Sequence, residues 1–277
     1  MQRNSVNPMQ LAGNITMMKT SLVDGKANYV LSLGSELIEM NSLVGRQIEL
    51  SFSGDINCSN CGQKTNKSFS QGYCFPCARS LARCDMCIMK PETCHHHLGT
   101  CREPEWGLSN CFSSHVVYLA NSSGPKVGIT RETNMPGRWI DQGAISALPI
   151  LKVNSRIDSG KVESALKPFI ADKTNWRKML KNEVEQTDLI AKKTELLSEI
   201  PDLIGELGAK WLDDETTNIS YPVIKYPTKI VSLSFDKTPN ISGTLEGIKG
   251  QYLLLDNGVL NLRKFSSYHV GLSQFIS

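Results

Sequence analysis

All nine cysteines of this 277-residue chain lie between Cys58 and Cys111, most of them in Cys-x-x-Cys pairs. An odd number of cysteines crowded into a fifth of the chain suits a disulfide framework poorly, whereas pairs separated by two residues suit metal chelation. Cys58-x-x-Cys61 and Cys74-x-x-Cys77 are separated by twelve residues. Each pair can place two thiolates at about 2.3 Å from one ion, and two pairs complete a tetrahedron. With four thiolates and no open position, a zinc held this way is structural.

A second group follows directly. Cys84-x-x-Cys87 forms a third knuckle, and Cys94 and Cys101 are assigned as its remaining ligands. His95 is an alternative to Cys94, because neighbouring residues seldom turn toward the same ion, and Cys111 is an alternative to Cys101. His95, His96 and His97 also read as a polar loop beside a site. The expectation is two structural zinc ions per chain, with folding of the segment coupled to metal.

With 40% apolar residues the chain can fill one large core or several small ones, and the cysteine cluster argues for several. No stretch approaches the roughly 20 apolar residues of a membrane span, and MQRNSVNPMQ lacks the layout of a secretion signal. A cytoplasmic protein without a membrane partner is therefore expected. The net charge of +3 conceals an asymmetry: residues 112–182 hold eleven Lys and Arg against five Asp and Glu, while residues 183–220 hold three against ten. The basic piece suits a polyanion such as nucleic acid; it also suits a solvated surface balanced by the acidic piece.

The expected organisation is an N-terminal β region (1–57), a zinc-binding module (58–111), an α/β core (112–182), an acidic helical segment (183–220) and a small C-terminal β module (221–277). Asp24-Gly25 and Gly45 mark turns in the first region, and Asn257-Gly258 marks a hairpin in the last. A small β-barrel-like C-terminal part is expected, with the N-terminal strands available to complete it. In NMPGRWIDQG, Asn134 is a cap, Pro136 suits a first turn and Gly143 a stop, which puts Arg138 at the start of a short helix. ALPILKV reads as a strand with an edge or bulge at Pro149. In SGKVESALKPFI, Val162, Ala165, Leu166, Phe169 and Ile170 recur at helical spacing, with Ser159 as cap and Glu163 on the rim of the apolar arc. The stretch from Trp176 to Trp211 reads as helical, a packing arm or a dimer helix pair.

HVVYLANSSGPKVGIT reads as a hairpin in which Tyr118, Lys126, Gly128 and Thr130 share one alternation phase. Tyr118 and Lys126 then face one side, and Gly128 leaves space there for close approach of a ligand. VVYLA, KVGIT, Arg138 in one helix and Glu163 in a later one together resemble the core of the GIY-YIG nucleases, over about residues 115–177. The resemblance implies a three-stranded antiparallel sheet flanked by helices and phosphodiester cleavage supported by one Mg²⁺. It implies that Tyr118 helps activate water, Arg138 holds the scissile phosphate and Glu163 binds the metal. A cation near Tyr118 would favour its phenolate. Lys126 or Val127 stands where the family more often has a second tyrosine, and Trp139 and Asp141 stand where it often has a histidine. Lys126 is then a phosphate contact or a tuner of Tyr118. The whole chain also resembles a bacterial domain-of-unknown-function family with this cysteine segment, which implies no activity.

Each residue has a structural alternative: Tyr118 as a sheet-packing aromatic, Lys126 as a solvated strand residue, Arg138 as a partner of Asp141 and Glu163 as a partner of Lys167. The sequence is read as an α+β protein with a zinc-ribbon-like module and a GIY-YIG-like core, a nucleic-acid-associated protein and candidate endonuclease. The alternative is a non-catalytic nucleic-acid or protein-binding adaptor.

Overall fold

The computed structural model describes residues 11–274, so the Met1–Gln10 stretch read above for a secretion signal lies outside the described part. The chain forms two compact units. One combines the residues up to Cys77 with those from Tyr221 onward, and the other runs from Ala78 to Ser220. In chain order the early strands are β1 (Leu11–Asn14), β2 (Lys19–Val23), β3 (Lys26–Leu33), β4 (Glu36–Glu39) and β5 (Gln47–Ile56). Helices α1 (Phe75–Ser80) and α2 (Pro104–Cys111) follow, then β6 (His115–Asn121), β7 (Pro125–Arg131), α3 (Gly137–Asp141), β8 (Ser146–Val153) and α4 (Arg156–Leu166). Next come α5 (Trp176–Leu180), α6 (Leu189–Leu197), α7 (Pro201–Glu206), β9 (Lys210–Trp211) and β10 (Thr217–Asn218). The last strands are β11 (Asn240–Lys249), β12 (Tyr252–Leu255), β13 (Gly258–Asn261) and β14 (Tyr268–Gln274).

The first unit contains a three-stranded sheet, β2-β3-β4, and a six-stranded sheet in the order β1-β14-β5-β11-β12-β13. In β3 the alternation of KANYVLSL buries Ala27, Tyr29, Leu31 and Leu33 while the intervening residues point outward. Asp24 and Gly25, at φ 49° and 73°, make the two-residue turn that pairs Val23 with Lys26. N-terminal and C-terminal strands do share one sheet, but among the described residues the expected barrel does not close. Four-residue strands, β1 and β13, end the sheet on either side and are not paired with each other. The β12–β13 turn also falls one residue earlier than expected, at Asp256-Asn257, with Gly258 already paired to Leu255. The cause lies in the turn side chains: Asp256 Oδ1 accepts from Thr244 N at 3.1 Å, and Asn257 Nδ2 donates to Ser242 O at 2.7 Å, tying both to β11.

The second unit is built on an antiparallel sheet in the order β10-β8-β6-β7, with β9 also on β8. The three strands expected here are therefore extended to five by two short additions. β6 is central, and all seven of its residues are buried. β8 carries a bulge opposite Val117 and Tyr118, where the register jumps from Leu151 to Pro149. Val117, Leu119, Val127, Leu148 and Ile150 pack with Val162 and Leu166 of α4. Leu189, Leu196 and Leu197 of α6 and Ile204 of α7 belong to the same core. The acidic segment packs within its own unit: its apolar residues cover the sheet, and Pro201 starts α7.

Two helix starts differ from expectation. α4 is capped by Ser155, whose Oγ accepts from Asp158 N at 3.2 Å; Ser159 is buried inside the helix and donates to Arg156 O at 2.7 Å. The apolar periodicity begins only at Val162, one turn after the polar Ser155-x-x-Asp158 start. Ahead of α3, Asn134 belongs to a separate 3-10 turn, Glu132–Asn134, so Pro136 stands at the cap position. Among the described residues no helix is long and apolar enough to cross a membrane.

Candidate functional site

In the first unit the chain leaves β5 and makes two tight turns, closed by the backbone bridges Asn57–Lys64 and Phe69–Tyr73. These turns present Cys58, Cys61 and Cys74, and α1 adds Cys77. The four sulfurs lie within 4.8 Å of one another, with Cys61 and Cys74 Sγ 3.8 Å apart. Sulfurs about 2.3 Å from a tetrahedral ion would have this separation. Burial opposes ionisation of Cys58, but backbone N–H groups of Cys61, Cys74 and Asn60 outweigh it and bring the thiol down to about 6. Asn60 donates to Cys77 Sγ at 3.4 Å, which favours its thiolate. Hydrogen bonds that the protonated Cys77 thiol donates to the neighbouring sulfurs of Cys74, Cys61 and Cys58, together with burial, nevertheless push Cys77 up to about 12. Crowded sulfurs cannot all carry charge unaided, and a divalent cation is the partner that lets them do so. This four-cysteine group can hold a metal ion, and its donor set fits zinc.

In the second unit Cys87, Cys94, Cys101 and Cys111 line one cavity of about 20 Å³, together with Asp85, His95 and His96. Cys84, in the 3-10 turn Ala82–Cys84, is not among its walls. Donor atoms of Asp85, Cys87 and His95 fall within 4.8 Å of one another. Asp85 also accepts from Arg102 Nε at 2.6 Å, and His95 Nδ1 lies 2.7 Å from Thr100 Oγ1. His97 is exposed. His115 is fully buried at the start of β6, with Nδ1 2.8 Å from Ser113 O, burial lowers its pKa, and it is not among the walls of the cavity.

On the sheet, Tyr118 pairs with Gly128 and Ala120 with Lys126, so Tyr118 and Lys126 lie on the same face. The space above Gly128 is not open to a ligand. A Cβ there would meet Tyr118 Cζ and Oη at 2.6 Å, so the glycine makes room for the phenol ring. Tyr118 is 0% exposed, and its hydroxyl accepts from Gln142 Nε2. Its pKa is raised: complete burial outweighs the opposing effect of Arg138 and the Gln142 hydrogen bond. The expected phenolate is therefore disfavoured, because desolvation exceeds the charge of the nearby guanidinium.

Lys126 is 7% exposed, and burial, reinforced by Arg138, lowers its pKa to about 8, while Glu163 and Asp172 oppose this. Glu163 is half-buried on α4; burial raises its pKa, Lys167 opposes this, and Asp172 and Glu92 add to it. Arg138 is half-buried on α3. Tyr118 feels both Arg138 and Glu163, and Lys126 feels the same two residues, so side chains from β6, β7, α3 and α4 share one electrostatic neighbourhood.

Three members of this neighbourhood had gone unrecognised. Gln142 follows Arg138 by four residues and also donates to its carbonyl at 2.9 Å, a relation that helical spacing could have exposed. Asp172 arrives because Ala171 bridges Lys126 in parallel, a crossing with no local signature. Arg156, partly buried, donates to Ile88 O at 2.6 Å and lies within electrostatic reach of Glu163.

The chain is therefore a mixed α/β protein with several antiparallel sheets and a four-cysteine group able to hold a metal ion. It belongs to the DUF2797 family of proteins of unknown function, whose model matches residues 45–270. No curated protein and no solved structure matches the chain.

Proposed function

We propose that this protein is a zinc-stabilised nucleic-acid-binding protein whose phosphodiester site is formed by Arg138, Lys126 and Glu163 over the buried Tyr118. The observation that carries this reading is the meeting of four side chains from four separate elements in one neighbourhood. A half-exposed guanidinium matches phosphate oxygens in a bidentate fashion, and the buried ammonium behind it adds positive charge in a poorly solvated place. Tyr118, neutral and held by Gln142, supports Arg138 and is not itself a base. The excess of Lys and Arg over residues 112–182 serves the same partner. A reducing compartment such as the cytoplasm keeps the metal-binding thiols available.

Hydrolysis is the second reading, favoured by Glu163, a carboxylate placed beside two cations where a plain anion-binding site needs none. Magnesium takes oxygen ligands and keeps water and phosphate oxygens beside one or two carboxylates. Glu163 would hold it, with Asp172 in reach, and it would supply Lewis-acid stabilisation of the cleaved phosphate.

Binding of fluorescent DNA and RNA across a salt series tests the first reading. Affinity should fall steeply with salt, and Arg138→Ala should reduce the log–log slope by about one. Binding that does not respond to salt, or none at all, refutes it. Incubating branched, single-stranded and duplex substrates with Mg²⁺ tests the second. Equal product from wild type and Glu163→Ala removes the metal role of Glu163, and no product from any substrate leaves the binding protein.

A further inference from the structure

The stretch from Cys84 to Cys111 poses a problem of stability. Of its 28 residues only Pro91 and Gly107 are buried, while Met86, Met89, Leu98 and Leu108 are exposed. Most of its local structure consists of 3-10 turns of three residues, Met86–Ile88, Pro91–Thr93 and His96–Leu98, before α2 begins. Turns this short do not hold themselves together, and so little burial cannot offset the entropy of ordering them. Something else must tie them to one another.

Each turn delivers a cysteine to the wall of one cavity. Cys87 lies within the first turn, Cys94 directly follows the second, Cys101 lies between the third and α2, and Cys111 ends α2. All four line the cavity of about 20 Å³, space for about one water-sized sphere. None of the nine cysteines is in a disulfide, and four of them form the group in the first unit. We propose that Cys87, Cys94, Cys101 and Cys111 bind a second, structural zinc ion, with Cys84 outside the ligand set.

The chemistry favours this set over the mixed one of Asp85, Cys87 and His95. The Asp85 carboxylate already has Arg102 as an ionic partner, and His95 is held between Thr100 and Asp85, with Nε2 3.5 Å from Oδ2. Both are placed to orient the ligands from outside, as groups surrounding metal ligands commonly do. Four thiolates around a divalent ion carry a net charge of −2, and Arg131 and Arg156 lie within electrostatic reach of Cys111 to offset it. The assignment is independent of the nucleic-acid reading, since it invokes none of the sheet residues.

Metal analysis and native-state alkylation of the full chain, purified without added metal, test the proposal. Two zinc ions per chain are expected. Cys84→Ser, Asp85→Asn and His95→Asn should retain both, and Cys111→Ser should fall from two to one. If Cys111→Ser does not fold, N-ethylmaleimide labelling of the wild type followed by mass spectrometry decides alone. Cys111 should be protected until a chelator is added, and Cys84 should react before it. A wild type with one zinc, loss of an ion in Cys84→Ser or in His95→Asn, or labelling of Cys111 as fast as Cys84 would overturn the assignment.

Discussion

Two neighbouring stretches of the second unit keep their shape by opposite means. From His115 to Val153 the chain makes three long strands, and every residue of β6 is buried, so the ladder is secured by apolar packing against α4, α6 and α7. From Cys84 to Cys111 there is almost no burial, and four cysteines line a small cavity instead. The two are nonetheless joined. Gly160 of α4 sits against the Pro91 turn so closely that a Cβ would meet Pro91 Cβ at 2.6 Å and Glu92 N at 2.7 Å. Arg156 Nη2 donates to Ile88 O, and Arg131 Nη1 donates to Asn110 Oδ1 at 2.7 Å. Glu163 lies one turn beyond Gly160, so a helix belonging to the packed core is braced by the stretch that has no core. The cysteine segment thus touches the Glu163 neighbourhood in two ways, through the packing of the Pro91 turn on α4 and through the charge of Glu92.

Chelation should break the comparison most sharply. Metal binding at sites of this kind supplies on the order of 10 kcal/mol, far more than the burial within residues 84–111 can replace. After treatment with a strong chelator, hydrogen exchange should rise across residues 58–77 and 84–111 while β6 and β8 keep their protection. Simultaneous loss in the strands would show that the sheet has no independent stability. Gly160→Val tests the brace alone. The added side chain meets the backbone of the Pro91 turn, which cannot swing away, and overpacking of this kind costs about 3 kcal/mol. Thermal unfolding should register that loss, and the metal content should stay unchanged; a variant as stable as wild type would mean that the contact between α4 and the turn bears no load.

Regular spacing was the legible part of this chain. The Cys-x-x-Cys pairs anticipated four sulfurs converging in the first unit, because a knuckle is local geometry. Strand alternation anticipated Tyr118 and Lys126 on one face, since pairing with a period of two leaves no other arrangement for that hairpin. What escaped was whatever depends on three-dimensional crossing. Gly128 looked like an opening and is filled by the ring opposite it. Asp172 reaches Lys126 through a parallel bridge that no local pattern announces. The helix start at Ser155 was hidden for a different reason: the first turn of α4 is polar, and a hydrophobic pattern begins only where the helix meets the core.

Lys126 provides the smallest and sharpest test, because it places a charge inside the well-packed stretch. Burial holds its pKa at about 8, against an ordinary lysine value of 10.5. At pH 7 the folded protein therefore carries the full cost of the buried ammonium, partly offset by Glu163 and Asp172. Between pH 8 and pH 10.5 the unfolded chain binds more protons than the folded one at this position, so stability from this group rises with pH and the cost disappears. Lys126→Met keeps the length of the side chain and removes the charge. It should stabilise the fold at pH 7 by roughly 1 kcal/mol, because an apolar side chain of similar volume carries no charge to desolvate. Denaturant midpoints measured from pH 7 to pH 10 should show the advantage shrinking above pH 8, while salt-dependent binding of nucleic acid weakens at every pH below 8. A variant less stable than wild type at pH 7 would show that the ion pairing of Lys126 outweighs its desolvation, and would make it a structural residue of the sheet.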